Sequence, residues 1–231
     1  MSRPLRSLPR FFLPGASPAG EIELPKDEID KIRKVLRLSA GAEIAILPND
    51  GTLIRCEFQN HFAIPREVVR PDTEARLRLT IAQALPKGDK IDEIIRAGTE
   101  LGVSRFILFP SERTVVRWDE KKTADRLNRL RTIARESSEV SFRTVLPEIT
   151  PARDLKDVLT QFPDCIVLSE VEGLSPRLEP KGSEMTIVVG PEGGWADREL
   201  NAIGNRGVTL GPRVLRTEHA GAAAAALLLL S

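Results

Sequence analysis

Apolar positions over residues 1–70 come in short runs cut by proline and glycine, and from residue 76 they settle into alternating strand-like and helix-like spacing. In the first stretch, Glu43-Ile44-Ala45-Ile46-Leu47 and Thr52-Leu53-Ile54-Arg55-Cys56 flank the turn Asn49-Asp50-Gly51. Asn, Asp and Gly tolerate the positive φ of a tight hairpin, so the two runs are expected to pair. Ile29, Ile32, Val35 and Leu36 recur at helical spacing after the acidic start Asp27-Glu28, which predicts one short amphipathic helix. The segment reads as a small β-rich domain that ends in the polar, proline-bearing stretch Arg70-Pro71-Asp72-Thr73-Glu74. The expected domains are therefore 1–72 and 73–231.

Beyond the boundary, Leu77 to Ala82 reads as a strand, and Asp89 is placed to cap a helix carrying Ile91, Ile94, Ile95 and Leu101 and closed by Gly102. A strand is expected at 105–109, a charged helix at about 120–140, and further strands at 165–168, 186–189 and 208–210. Ala220 to Leu230 is apolar but well short of the roughly 20 residues that cross a bilayer, so it predicts a buried last helix. Strands exchanging with helices specify an α/β domain with a largely parallel sheet covered on both faces.

Composition narrows the class. Hydrophobic residues make up 41% and charged residues 29% of the 231, which is the balance of a chain that buries a real core. Pro4, Pro9 and Pro14 break the apolar run beside Arg3, Arg6 and Arg10, so no export signal is expected. Cys56 and Cys165 have neither metal-like nor redox-like spacing and read as reduced thiols of a cytoplasmic protein. His61 and His219 have no carboxylate cluster beside them, and no metal site is expected. Charge is segregated: residues 113–143 hold 9 Lys/Arg against 5 Asp/Glu, whereas 144–231 hold 8 against 12. A basic stretch of this kind suits a grip on polyanion, and it also suits an ordinary solvated helix face.

The candidate chemistry sits in three loops that follow expected strands, where α/β sheets bind their ligands. They are Ser169-Glu170 after Leu168, Gly190-Pro191-Glu192-Gly193-Gly194 after Val189, and Gly211-Pro212-Arg213-Val214-Leu215-Arg216 after Leu210. Three glycines in five residues let the main chain approach a flat ligand and bond it through amides. The loop lacks both Gly-x-Gly-x-x-Gly spacing and a Gly-Lys-Ser/Thr ending, so a dinucleotide or nucleoside triphosphate fits poorly.

These motifs resemble those of the ribosomal RNA small subunit methyltransferase E family, within the knotted SPOUT superfamily. The matching stretches are Arg10-Phe11-Phe12, Val35-Leu36-Arg37-Leu38, Gln83 to Lys90, Thr99-Glu100-Leu101-Gly102-Val103, Glu112-Arg113, Val189 to Trp195 and Leu210 to Glu218, in family order along nearly the whole chain. The chain departs from the family pattern at Asp27 to Asp30, where a histidine is usual, at Val140, where a glutamine is usual, and at His219, where a small residue is usual.

The resemblance implies a homodimeric enzyme that moves a methyl group from S-adenosylmethionine to N3 of a uridine in 16S ribosomal RNA of the small subunit. It also implies a PUA-like β-barrel in front of an α/β domain tied in a deep trefoil knot. The cofactor pocket it implies is lined by Leu168, Ser169, Gly190, Pro191, Glu192, Gly193, Gly194, Leu210, Gly211, Leu215 and Arg216. Uridine N3 carries a proton, so the developing anion needs stabilisation, for which Arg216 or Arg10 is a candidate, and Glu218 is a candidate proton acceptor. The RNA grip is expected from Arg10, Arg113, Arg117, Lys121, Lys122, Arg126, Arg129 and Arg143. Two alternatives stay open: a knotted methyltransferase acting on another base or a ribose 2′-hydroxyl, and an RNA-binding or assembly module without catalysis.

Overall fold

The computed structural model describes residues 3–116, 118, 120–170 and 178–230, apart from the side chains of Glu120 and Lys121. The chain forms two compact units, Met1–Glu74 with Ser138–Leu146, and Ala75–Ser137 with Pro147–Ser231. The hydrophobic pattern carried no sign that residues 138–146 return to the first unit. They are held there by Glu74, which takes the Arg143 guanidinium on one carboxylate oxygen and the Thr144 and Val145 amides on the other.

The first unit contains β1 (Arg10–Phe12), β2 (Ile22–Glu23), α1 (Lys26–Asp30), β3 (Glu43–Leu47), β4 (Leu53–Gln59) and β5 (Phe62–Val69). They make a five-stranded sheet in the order β1-β3-β4-β5-β2, antiparallel except for the β1–β3 pair. The hairpin at 49–51 forms as expected, with Asn49 and Gly51 at positive φ and the Asp50 carboxylate accepting from the Thr52 amide at 2.9 Å. Phe11, Ile22, Ile29, Ile32, Ile44, Ile46, Ile54 and Phe58 make its larger core cluster. The expected amphipathic helix is shorter and more irregular than its pattern: α1 passes into a π-helical turn over Lys31–Val35, which buries Ile32 and leaves Val35 and Leu36 exposed.

The second unit contains β6 (Arg78–Ala84), α2 (Lys90–Leu101), β7 (Arg105–Phe109), most of α3 (Glu120–Ser141), β8 (Glu148–Pro151), α4 (Leu155–Gln161), β9 (Ile166–Leu168), β10 (Glu184–Val189), α5 (Asp197–Ile203), β11 (Gly207–Val208) and α6 (Thr217–Leu229). Its six strands pair throughout in parallel, in the order β11-β9-β10-β6-β7-β8. Alternating residues serve the two faces. Leu79, Ile81, Phe106, Leu108 and Ile187 meet residues of α2, α3 and α6 on one side, while Ala82, Ala84, Ile107, Phe109 and Val188 meet residues of α4 and α5 on the other. Adjacent β6 and β10 send their connections in opposite directions, toward β7 and β11 respectively, and a crevice for a ligand forms at such a reversal.

Gly102 ends α2 in the left-handed conformation, as its place in the sequence predicts. Asp89 takes the N-cap position but makes no capping bond; its carboxylate instead faces Arg126 at 3.8 Å. Inside α2, Gly98 permits close contact with the sheet, because a Cβ there would stand 2.7 Å from Cζ of the fully buried Phe106. Alanine is the better helix former by about 1 kcal/mol. Overpacking a dense core nevertheless costs roughly 1–3 kcal/mol, so Gly98→Ala is expected to lower the urea midpoint of unfolding. A midpoint at or above that of the parent chain would contradict the close approach.

Candidate functional site

The carboxyl ends of the strands carry a cavity of about 610 Å³, a usual size for a small-molecule site. It is lined by the loop after β9 (Leu168, Ser169, Glu170), the glycine loop after β10 (Gly190, Pro191, Glu192, Gly194, Trp195), the run Val214 to Glu218 into α6, and Lys90 at the start of α2. Trp195 is nine-tenths buried. Its ring lies parallel to Phe109, its indole N–H donates to the Leu168 carbonyl at 3.4 Å, and a Cβ at Gly190 would stand only 3.0 Å from its ring. Glycine at 190 is thus what lets the main chain pass over the indole. Gly194 sits at φ +67, a backbone that side chains rarely adopt.

Two buried polar centres fix the loops. Gln83, fully buried at the end of β6, donates to the Thr217 hydroxyl at 3.0 Å, which donates in turn to the Gly190 carbonyl at 2.6 Å. Glu199, also buried, accepts from the Ser111 hydroxyl and from the Glu112 and Ala196 amides, each at 3.0 Å. The Arg113 guanidinium donates to the Gly193 carbonyl at 2.9 Å. The main chain of the pocket is therefore preorganised from behind.

The third tie is ionic. The Lys90 ammonium lies 3.1 Å from Glu218 and 3.2 Å from Glu192, and the Lys87 amide donates to the same Glu192 oxygen at 3.0 Å. One ammonium thereby joins α2, the glycine loop and the first turn of α6. Glu218 is held below the usual glutamate range by its own backbone N–H, against burial and with help from Lys90. For Glu192, burial pushes upward, but its own amide, the Lys87 amide and Lys90 together outweigh it. Lys90 is raised, first by its bond to Glu218.

Relatives share this architecture. Residues 73–229 match the family model described as an RNA methyltransferase domain. Ribosomal RNA small subunit methyltransferase E of Bacillus subtilis is 35% identical over 214 residues, covering 84% of each chain. The protein of the same name from Synechocystis is 31% identical over 210 residues, covering 84% of this chain and 68% of the relative. The crystal structure of a ribosomal RNA small subunit methyltransferase E from Neisseria gonorrhoeae, bound to S-adenosyl methionine, superposes with a TM-score of 0.85 at 28% identity and 95% coverage of both chains. The chain belongs to the ribosomal RNA small subunit methyltransferase E family.

Set against that family, the residues put forward from sequence divide. Leu168, Ser169, Gly190, Pro191, Glu192, Gly194, Leu215, Arg216 and Glu218 come together around the cavity. Gly193, Leu210 and Gly211 are not among its lining. Gly193 backs onto Arg113, Leu210 packs partly buried against the core, and Gly211 exchanges hydrogen bonds with the Thr209 hydroxyl. Arg10 belongs to the first unit, where its guanidinium donates to the Glu139, Arg6 and Val140 carbonyls and stacks over Phe142. Lys90, Thr217 and Trp195 are among the lining residues that lie beyond the expected set.

The expected RNA contacts also need correction. Arg143 is 4% exposed and held by Glu74, so it is a structural cation and not a surface contact for phosphate. Arg129, itself exposed, is ion-paired with Asp92, and Arg126 faces Asp89; Arg113 and Lys122 are exposed as well. Arg117 and the side chain of Lys121 lie outside the described residues. Among the described residues no helix is long and apolar enough to cross a membrane, and no cluster of three or more His, Cys, Asp or Glu could hold a metal ion.

Glu218 as a general base fares poorly, because a carboxylate with a lowered pKa binds a proton weakly. Its ionic contribution is present above the ordinary value of 4.5 and is lost only as pH falls through the lower folded value. Glu218→Gln is therefore expected to change the rate of any methyl transfer without moving an inflection between pH 6 and 8. An acid limb in that window that vanishes in the variant would restore Glu218 as the base.

Proposed function

We propose that the chain catalyses S-adenosylmethionine-dependent methylation of uridine N3 in 16S ribosomal RNA of the small subunit. The observation that carries this reading is the pocket at the β6/β10 reversal, in a chain of this family. Its size suits the methyl donor, and its lining suits the donor's charge: Lys90 and Arg216 are outnumbered by Glu170, Glu192 and Glu218, leaving a net negative wall for a sulfonium cation. Leu168, Val189, Trp195 and Leu215 supply the apolar walls for its flat ring, and Gly190, Pro191 and Gly194 the close main chain. When bound, the donor would supply an activated methyl group for N3 in exchange for the N3 proton, becoming a neutral thioether, and the three loops with Lys90 would hold it.

The chain's own part is aim and charge. Holding two reactants at near contact contributes on the order of 7–11 kcal/mol at best. The ties from Gln83, Glu199 and Lys90 serve that purpose by fixing the loops. Arg216, which lines the cavity at the entrance to α6, is assigned to steady the uracil anion. Arg10 keeps a supporting role in the first unit, and Arg113 and Lys122 are assigned to phosphate contact.

The same reading takes the first unit as a PUA-like RNA-binding domain, supported by its mostly antiparallel sheet, and the second as a methyltransferase domain with a trefoil knot, supported by the insertion of β10 between β9 and β6. It takes the enzyme as a cytoplasmic homodimer, supported by exposed Leu227 and Leu230 at the end of α6. The test is incubation of small subunits lacking the modification with labelled donor, followed by nucleoside analysis. Label in N3-methyluridine is the expected result; label in a ribose or another base, or none at all, overturns the reading.

A further inference from the structure

The motif Val35-Leu36-Arg37-Leu38 has no part in the pocket, yet its surroundings are the least ordinary stretch of the first unit. Helix α1 widens into the π-helical turn Lys31–Val35, in which the Leu36 amide bonds back to the Lys31 carbonyl at 2.9 Å. The chain then leaves through Arg37 at φ +53, and the Leu38 amide reaches the Ile32 carbonyl at 3.0 Å. π-helical turns and left-handed side-chain residues both cost free energy and gather where function holds them.

What the turn displays is consistent. Arg33, Lys34, Val35, Leu36 and Arg37 are five consecutive exposed residues, and Val35 is 72% exposed. Ile29 and Ile32 anchor the turn in the core, and Arg33 is committed to the fold, donating to the Asn60 carbonyl and lying over the Phe58 ring. Lys34 has only an exposed pairing with Asp30, and Arg37 has no partner among the described residues. Two cations thus flank an exposed aliphatic pair on a rigid base.

We propose that this turn is an RNA contact: Lys34 and Arg37 take backbone phosphates, and Val35 with Leu36 packs against the face of an unstacked base. The occupant follows from charge. Of the four cations from Lys31 to Leu38, Lys31 is held by Glu139 and Arg33 by the fold, which leaves Lys34 and Arg37 facing outward against the single carboxylate of Asp30; that surplus favours a polyanion, and the apolar pair favours a strand whose base faces are open. The proposal rests on the RNA substrate of the reading above and adds a site to it.

The test uses the full chain with in vitro transcribed, unmodified 16S ribosomal RNA, measuring affinity from 50 to 200 mM salt alongside methyl transfer. Lys34→Ala with Arg37→Ala is expected to reduce the slope of log affinity against log salt by roughly 1.4, at about 0.7 per single-strand phosphate contact. Val35→Ser is expected to weaken binding about fivefold or more with the slope unchanged, as loss of one base contact would. Urea unfolding followed by circular dichroism should match the parent chain in all variants, which shows the first unit folded, and an unchanged heat of donor binding shows the same of the second. An unchanged slope in the double variant overturns the proposal, as does, in a parallel measurement with assembled small subunits, a loss of binding to the subunits alone, which would mean that a ribosomal protein covers the turn. Intact RNA binding through this turn without methyl transfer would instead overturn the enzymatic reading alone.

Discussion

Lys90→Met is expected to weaken donor binding and slow methyl transfer together, by up to about 100-fold, since misplacing a reacting group by about 1 Å can cost that much. The variant leaves Glu218, 7% exposed, and Glu192 facing each other across the pocket without the ammonium that joins them. Like charges at close range repel, so the glycine loop and the first turn of α6 should separate. Lys90→Arg keeps a cation that can span both carboxylates and should retain most activity. The pH range follows from the directions of the shifts. Lowered carboxylates keep their contribution above the ordinary 4.5 and lose it in stronger acid, while raised Lys90 keeps its contribution below the ordinary 10.5 and loses it only in stronger alkali. The ionic tie should therefore hold from about pH 6 to 9, so any change of donor affinity in that range, measured by calorimetry, should be the same in Lys90→Met as in the parent chain. Affinity and rate in Lys90→Met equal to those of the parent would remove the ionic tie from the pocket's design.

The contrast between Lys90 and Glu192 shows what the sequence could carry. Glu192 announces itself because it lies within the glycine loop, and the loop announces itself by composition. Lys90 lies more than a hundred positions earlier, at the end of the family-like stretch Gln83 to Lys90, in a helix start whose hydrophobic pattern shows only Ile91, Ile94 and Ile95 packing inward and gives the lysine no partner. Its partnership with Glu218 exists only because the sheet order sets β6 beside β10. Periodicity fixes which face of a strand is buried, but not which strand is its neighbour, and the pocket's members outside the three loops depend on that second fact. Two short strands, β1 and β2, were hidden for a related reason, since two or three residues carry no measurable alternation, whereas the eight-residue β5 was hidden because Pro65, Arg66 and Glu67 interrupt its apolar pattern. Arg143 is the clearest misreading. A cation in a basic stretch looks like a phosphate contact until its carboxylate, Glu74, is brought to it from 69 residues away.

That carboxylate makes the other large effect. Glu74→Ala is expected to destabilise the first unit by about 3 kcal/mol, because removing one member of a buried pair costs roughly 3–5 kcal/mol and Glu74 is itself partly solvated. Arg143, 5% exposed at its side chain, loses both of its bonds to Glu74, at 3.1 and 2.8 Å, and the Thr144 and Val145 amides lose acceptors at 2.7 and 3.2 Å. The two losses are separable. Glu74→Gln keeps an acceptor for the amides while neutralising the partner of Arg143, so it should recover part of the stability; Glu74→Leu with Arg143→Met removes both charges and should recover a different part, leaving the amides unpaired. Urea unfolding measures the sums, and hydrogen exchange at Thr144 and Val145 reads the amide share directly, with faster exchange expected in Glu74→Ala and in the double variant but not in Glu74→Gln. A parent-like midpoint and slow exchange in Glu74→Ala would mean that residues 138–146 are held in the first unit by Phe142 and Leu146 packing on the smaller core cluster of Leu8, Phe12 and Leu47, and not by the carboxylate.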